Sequence, residues 1–305
     1  MILKNRTYPF INHLKPYIFN RSLRKNEIHL RAENLCLKMK TKLLYFFFLS
    51  SLTVFSQTKL LSWNLENFGK SKSDQEIAFI TNTIKDYDII AIQEVVAGNG
   101  GVQAVARLAD ELNRKGAKWD YRISDPTSSN SKKTERYAFL WKTANLKLKG
   151  KPWLEQKYHS EIEREPYFAT FEIKGKTITV ASFHAITKSN QPETEIKYFK
   201  LLPQEYPSLN LVFAGDFNCP QSHSVFTPLK NMGFSPILKN QKTSLKTKVK
   251  KGNYLASEYD NIFYKINSIT FIKSDAILFY KNFISLKEAR KISDHVPIWF
   301  EFSLN

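Results

Sequence analysis

The chain has 305 residues, of which 42% are hydrophobic, with 46 Lys/Arg against 28 Asp/Glu for a formal net charge of +18. The apolar share and length suit a full core in one sizeable domain, and two cysteines exclude a disulfide-built scaffold. A basic balance favours a polyanionic partner, although it also serves plain solubility.

Residues 1–38 are basic, lack a clear period and precede Met39. From Met39 the order is Lys40-Thr41-Lys42, an apolar stretch from Leu43 to Phe55, then Ser56-Gln57. A basic start, a short Leu/Phe core and a small residue before the cleavage point describe a secretory signal peptide over 39–56. The apolar core is too short to span a bilayer comfortably. The expectation is translation from Met39, with 1–38 an upstream gene-model extension or a disordered leader and 57–305 one catalytic domain. The product is then secreted or periplasmic, monomeric, and free of stable membrane association after signal cleavage. Ten of the 46 basic and two of the 28 acidic residues fall in 1–56, which leaves +10 over 57–305. Cys36 lies in the leader, and Cys219 reads as a small core or rim residue.

Strands and helices alternate from there. A strand at 59–64 precedes an amphipathic helix from Asp74 to Lys85, with Ile77, Ile80 and Ile84 on one face. A strand at 88–93 leads to a helix from Val102 to Lys115, where Val105, Leu108, Ala109 and Leu112 recur. Strands follow near 119–124, 135–142, 166–173 and 176–183. A helix near 193–202, a strand at 210–216, a short helix at 223–232 and strands near 259–264, 269–273 and 296–302 complete the pattern. Ser124–Thr134 and Lys239–Gly252 read as surface loops. The second is Lys-rich, and Lys246 and Lys248 are candidate phosphate-backbone contacts against the plainer reading of a solvated loop.

Six apolar runs end in residues that bind metals, carry protons or hold phosphate: Asn64, Gln93-Glu94, His184, Asp216-Phe217-Asn218, Asp260 and Asp294-His295. Taken singly, Glu94 is a surface carboxylate, Asp260 a turn residue and Asp216-Phe217-Asn218 an Asx turn. Together they match what phosphoester hydrolysis demands: charge screening, an oriented water and protonation of a poor leaving group. Glu94 suits a hard cation, with Asn64 and Asp294 completing the shell. Asn218 offers an amide to a phosphoryl oxygen, and Asp216 orients it or a water. His184 and His295 are the proton carriers, and carboxylates such as Glu135 and Asp260 fix their tautomers. Sequence spacing does not assign which carboxylate meets which imidazole. His159 and His223 stand outside the set as ordinary surface residues.

Ser62-Trp63-Asn64, Ile92-Gln93-Glu94, Gly215-Asp216-Phe217-Asn218 and Ser293-Asp294-His295-Val296-Pro297 resemble the signatures of the endonuclease/exonuclease/phosphatase superfamily. Glu135-Arg136-Tyr137, Arg164-Glu165-Pro166 and Phe183-His184-Ala185 are similar to its deoxyribonuclease I branch. The resemblance runs over 58–303. It implies an α/β fold: a four-layered sandwich, two mixed sheets face to face with helices outside. It also implies that Glu94, aided by Asp294 and Asn64, holds a divalent metal, Mg²⁺ with Mn²⁺ or Ca²⁺ as alternatives. His295 with Asp260 and His184 with Glu135 become the two acid/base pairs, Asp216 and Asn218 hold phosphate or water, and Arg164 approaches the phosphate. The implied reaction is in-line cleavage of DNA or RNA, leaving a 5′-phosphate.

The chain departs from that branch at Val95-Val96, where the vertebrate enzyme has a groove-entering Arg. It departs again at Lys132-Lys133-Thr134, which lack a sugar-packing Tyr, and in having no partner for Cys219. A sphingomyelinase-like phosphodiesterase shares the Asp-Asn and Asp-His pairs, but needs an apolar membrane loop that the sequence lacks. A non-catalytic nucleic-acid-binding protein requires lost catalytic groups, and none is lost.

Overall fold

Alternation along the strands decides where the site forms. The computed structural model describes residues 31, 35, 37–40, 57–129, 134–250 and 252–305. They fall into two units, Met1–Phe55 and Ser56–Asn305. The first is described only at a few exposed helical positions, so the expected leader and the body of the signal segment lie outside the described residues. Among the described residues no helix is long and apolar enough to cross a membrane.

In the second unit the strands are β1 (Thr58–Phe68), β2 (Ile89–Val96), β3 (Trp119–Ile123), β4 (Glu135–Lys142), β5 (Leu146–Leu154), β6 (Tyr167–Ile173) and β7 (Lys176–His184). They continue with β8 (Leu211–Asp216), β9 (Phe234–Pro236), β10 (Leu245–Lys250), β11 (Asn253–Leu255), β12 (Asp260–Lys265), β13 (Ile269–Ala276) and β14 (Ile298–Leu304). The helices are α1 (Asp74–Ile84), α2 (Asn99–Asn113), α3 (Glu193–Ile196), α4 (Leu202–Glu205), α5 (Thr227–Asn231) and α6 (Leu286–Ile292). One six-stranded sheet has the order β13-β14-β1-β2-β4-β3, the other β5-β6-β7-β8-β12-β9, and β10-β11 is a separate hairpin.

In the second sheet Ile178, Val180, Val212, Ala214 and Ile262 face the first sheet and share its core. Their alternates Ala181, Phe183, Leu211, Phe213 and Phe263 face outward, under Ile196, Phe199, Leu202 and Leu229 of the covering segments. On the far side α2 packs Ala104, Val105, Leu108 and Leu112 against β2, β3 and β4. The result is the four-layered α/β sandwich that the resemblance implied. Burying this apolar surface contributes on the order of 25 cal/mol per Å² removed from water.

Both sheets repeat one pattern, a parallel pair flanked by antiparallel neighbours: β14, β1, β2, β4 in one and β6, β7, β8, β12 in the other. The ends of the parallel strands and the starts of their antiparallel neighbours therefore meet at one edge of the sandwich. Glu94, His184 and Asp216 arrive at strand ends, and Glu135 and Asp260 at strand starts.

Several segments differ from the sequence reading. The Lys-rich loop is the hairpin β10–β11. The helix near 193–202 is split into α3, a 3-10 turn at Lys197–Lys200 and α4, and Pro203 sits in the first turn of α4, where a missing N–H costs no helical bond. The edge strand β5 was concealed by Lys, Gly and Pro, and α6 by its short length of 7 residues.

Candidate active site

Register brings the second sheet's contribution together. His184 pairs with Asp216, and Asp216 with Asp260, across β7, β8 and β12. All three share the inward parity of Val180, Val212 and Ile262, so their side chains enter the space between the sheets. Gly215 makes this approach feasible. Its φ is +146°, and a Cβ there would lie 1.9 Å from the Phe183 carbonyl oxygen. In the first sheet, register breaks between Asn64 and Phe68 and between Ile92 and Val95, and Glu94 takes φ 59°. A bulge of this kind re-aims a side chain, here the Glu94 carboxylate, at the cost of a left-handed non-glycine residue.

Beneath the site a buried polar bridge joins the sheets, with Gln93 Nε2 donating to Ser182 Oγ at 2.8 Å and to Ser62 Oγ at 3.2 Å. Sequence reading had no signal for it beyond a glutamine inside an apolar strand.

Two imidazoles flank Asp216. His184 Nδ1 lies 2.9 Å from Glu135 Oε2, and its Nε2 lies 3.6 Å from Asp216 Oδ2. His295 Nδ1 lies 2.6 Å from Asp260 Oδ2, and its Nε2 lies 3.5 Å from the same Asp216 oxygen. The two Nε2 atoms are thus within about 7 Å of each other by the triangle through that oxygen. Each pair joins one sheet to the other: β4 to β7, and β12 to the segment before β14.

The groups bias one another. Burial pushes Glu135 up, but His184 and Arg164 outweigh it and hold it below the usual carboxylate range. Burial pushes Asp216 up too, and His295, His184 and the Asn218 N–H hold it low, so it stays ionised. For both histidines burial opposes the cation and the facing carboxylates win, Glu135 at His184 and Asp260 with Asp216 at His295. Both imidazoles therefore titrate above their ordinary value.

Glu94 and Asp294 line a cleft of about 440 Å³ with His184, Asp216, Asn218 and His295. Asn64 is buried and reaches the site with its amide nitrogen, 2.9 Å from Glu94 Oε1 and 3.2 Å from Asp216 Oδ2. Its Oδ1 accepts the Glu66 N–H at 3.0 Å, which fixes the amide so that its nitrogen bridges the two carboxylates. Glu66 was missed by sequence reading. Burial, then Asp294 and Glu94, push its carboxyl above the ordinary value although Arg290 and Lys72 oppose them. Glu66 thus senses both cleft carboxylates, and Glu94 and Asp294 offer the oxygen donors that a hard divalent cation favours. Asp216, Asp260 and His295 also present ligand atoms within 4.8 Å of one another.

Arg164 lines the cleft, bonds Glu135 Oε2 at 3.1 Å and donates to the Ala185 carbonyl. It braces the Glu135–His184 pair from within the cleft wall. Asn218 donates to Ala185 O at 3.0 Å. Lys246 and Lys248 sit on β10, half-buried and exposed respectively, and neither lines the cleft. The root of that hairpin does matter. Leu245 N–H donates to Asp294 O at 2.6 Å, and Thr243 Oγ1 accepts the Asp260 N–H at 2.9 Å. Lys72, also unread in the sequence, donates from Nζ to Lys291 O and Ile292 O at 2.8 Å each, fixing the turn before Asp294-His295. His159 is exposed, as expected. His223 is not an ordinary surface residue: it accepts the Val225 N–H at 3.2 Å and lies against Cys219 and Glu193. Lys132 and Lys133 lie outside the described residues, and Val96 stands exposed on the cleft wall.

Residues 61–295 match the Endonuclease/Exonuclease/phosphatase family. The chain is 25% identical over 269 residues to a deoxyribonuclease of Thioalkalivibrio sp. (strain K90mix), covering 81% of this chain and 71% of that protein. It is 25% identical over 191 residues to deoxyribonuclease-1 of Oryctolagus cuniculus, covering 56% of this chain and 64% of that one. Among solved structures, an endonuclease/exonuclease/phosphatase family protein of Bacteroides thetaiotaomicron superposes with a TM-score of 0.60 at 17% identity, covering 82% of this chain and 98% of the other. The chain belongs to the endonuclease/exonuclease/phosphatase family, on the side of its deoxyribonuclease I-like members.

Proposed function

We propose that this protein is an exported, divalent-metal-dependent endonuclease that hydrolyses DNA with little sequence preference, leaving 5′-phosphates. The observation that carries this reading is the pair of imidazoles, each backed by a buried carboxylate, facing one Asp216 oxygen from two sides. In-line displacement at phosphorus needs proton acceptance on the attacking side and proton donation on the leaving side. The two Nε2 atoms supply those functions. Asp216 and Asn218 hold the water or phosphoryl oxygen between them, and Arg164 meets the developing charge.

Glu94 and Asp294 are the residues that would hold the cation, Mg²⁺ first and Mn²⁺ or Ca²⁺ as alternatives, and the ion would screen the phosphate charge. DNA as substrate is supported by the two deoxyribonuclease relatives and by the basic balance of the chain. Export rests on the signal-like segment 39–56. A monomer without stable membrane association is the simplest state consistent with that segment being removed.

The test is digestion of supercoiled plasmid, single-stranded DNA, RNA and sphingomyelin by residues 57–305, each with Mg²⁺ and with chelator. Metal-dependent nicking of plasmid that Glu94→Ala abolishes is the expected result. Hydrolysis of lipid with every nucleic acid left intact would overturn the nuclease reading in favour of the sphingomyelinase-like one.

A further inference from the structure

Three side chains of unlike donor type meet beside the cleft without belonging to the hydrolytic machinery. Glu193 opens α3, Cys219 follows Asn218, and His223 precedes the 3-10 turn Ser224–Phe226. Their carboxylate oxygen, sulfur and ring nitrogen all lie within 4.8 Å of one another. We propose that Glu193, Cys219 and His223 form a second metal site that takes a borderline-soft divalent cation, Zn²⁺ before Mg²⁺.

Donor chemistry separates this site from the catalytic one. Glu94, Asp294 and Glu66 offer oxygen alone, which suits Mg²⁺, whereas sulfur with imidazole and carboxylate suits Zn²⁺ and leaves a fourth tetrahedral position for water. The Glu193 oxygen Oε2 is buried, and Lys188 Nζ lies 3.5 Å from it as its counter-charge. Cys219 is buried, and burial pushes its thiol up to about 11, so it stays protonated until a bound cation displaces the proton.

Loading the site balances simply. The Cys219 S–H proton goes to solvent as the S–metal bond forms, and a thiolate with a carboxylate cancels the charge of the dication. Lys188 is then released from Glu193. His223 Nδ1 has a lone pair, engaged by the Val225 N–H at 3.2 Å, and the ion competes with that bond.

The consequence reaches the cleft. Asn218 adjoins Cys219, and Thr187 and Asn190 line the cleft just before Glu193. A bound ion cross-links the two loops in a domain whose one cysteine has no disulfide partner.

Co²⁺ reports the site directly, because thiolate ligation gives near-ultraviolet charge-transfer absorption that oxygen donors do not. The full chain carries Cys36→Ser so that Cys219 is its single thiol, and excess Mg²⁺ occupies the oxygen site during titration. The expected result is a thiolate–Co²⁺ band that saturates at one ion per chain and is bleached by equimolar Zn²⁺. Cys219→Ser abolishes the band, His223→Gln and Glu193→Gln each weaken Co²⁺ binding at least about tenfold, and His295→Ala leaves the band intact. No band in the folded chain, or a band indifferent to both His223→Gln and Glu193→Gln, overturns the proposal. Should a variant fail to fold, ¹¹³Cd²⁺ bound to the Cys36→Ser chain decides: a resonance in the thiolate-ligated range supports the site, and resonances in the oxygen and nitrogen range alone refute it.

Discussion

His184 and His295 each turn Nδ1 to a buried carboxylate and Nε2 to Asp216, yet among the described residues the carboxylate behind His184 has a second cation and the one behind His295 does not. Arg164 bonds Glu135 at 3.1 Å, and together with His184 it holds that carboxyl low. Asp260 has His295 as its cation and Asp216 as a like-charged neighbour, and burial with that neighbour pushes it up. Two pairs of equal topology thus differ in who supplies the positive charge. In the first the charge is permanent, because a guanidinium does not titrate in the working range. In the second it comes and goes with the proton on His295. The difference separates stability from chemistry: the first pair is part of the scaffold as well as the site, and the second is chiefly site.

The largest effects come from removing the proton carriers. His184→Ala and His295→Ala are each expected to lower turnover about 10²–10⁴-fold with the fold retained, read by plasmid nicking beside far-ultraviolet circular dichroism. Near-normal turnover in either variant would break the two-imidazole mechanism. The carboxylates then sharpen the contrast. Glu135→Gln leaves Arg164 buried without its carboxylate and should cost about 3–5 kcal/mol of stability besides activity. Asp260→Asn removes a charge that burial and Asp216 already oppose, so its stability cost should stay near 1–2 kcal/mol while turnover still falls by at least about 100-fold. Urea denaturation of both variants checks this ordering, and equal losses would erase the distinction between scaffold pair and site pair.

Sequence revealed the strand ends more readily than the links between them. Asn64, Glu94, His184, Asp216 and His295 each close an apolar run, and a polar residue there has few reasons to exist other than function. The resemblance added the pairing of Glu135 with His184 and of Asp260 with His295. Neither source gave the dual task of Arg164, the Gln93–Ser182 bridge or the Lys72 clamp, because these join residues far apart in sequence, and their geometry exists only once the sheets pack. Glu66 was hidden for another reason. The break in β1 pairing after Asn64 re-aims the chain, and no local pattern announces a bulge. His223 and Cys219 looked inert because each sits alone in the sequence, and their meeting with Glu193 depends on where α3 begins.

Arg164→Met tests the comparison most finely, since it strips the permanent charge from the first pair and makes it an electrostatic copy of the second. Arg164 disfavours the His184 cation, and its loss should raise the His184 value further, moving the limb of the pH–rate profile that belongs to it in the alkaline direction. Stability should follow the same logic through linkage. Glu135 titrates below its ordinary 4.5, so the stabilisation it contributes is full above that pH and is lost as pH falls through the lower folded value. His295 titrates above its ordinary 6.5, so its contribution is full below that pH and is lost as pH rises through the higher folded value. The gap in stability between wild type and Glu135→Gln should therefore close in acid, and that between wild type and His295→Gln should close in alkali. Urea midpoints measured from pH 3 to pH 10 read both, and a gap that closes on the opposite side for either variant would show that its partner, not the proton, sets the charge of that pair.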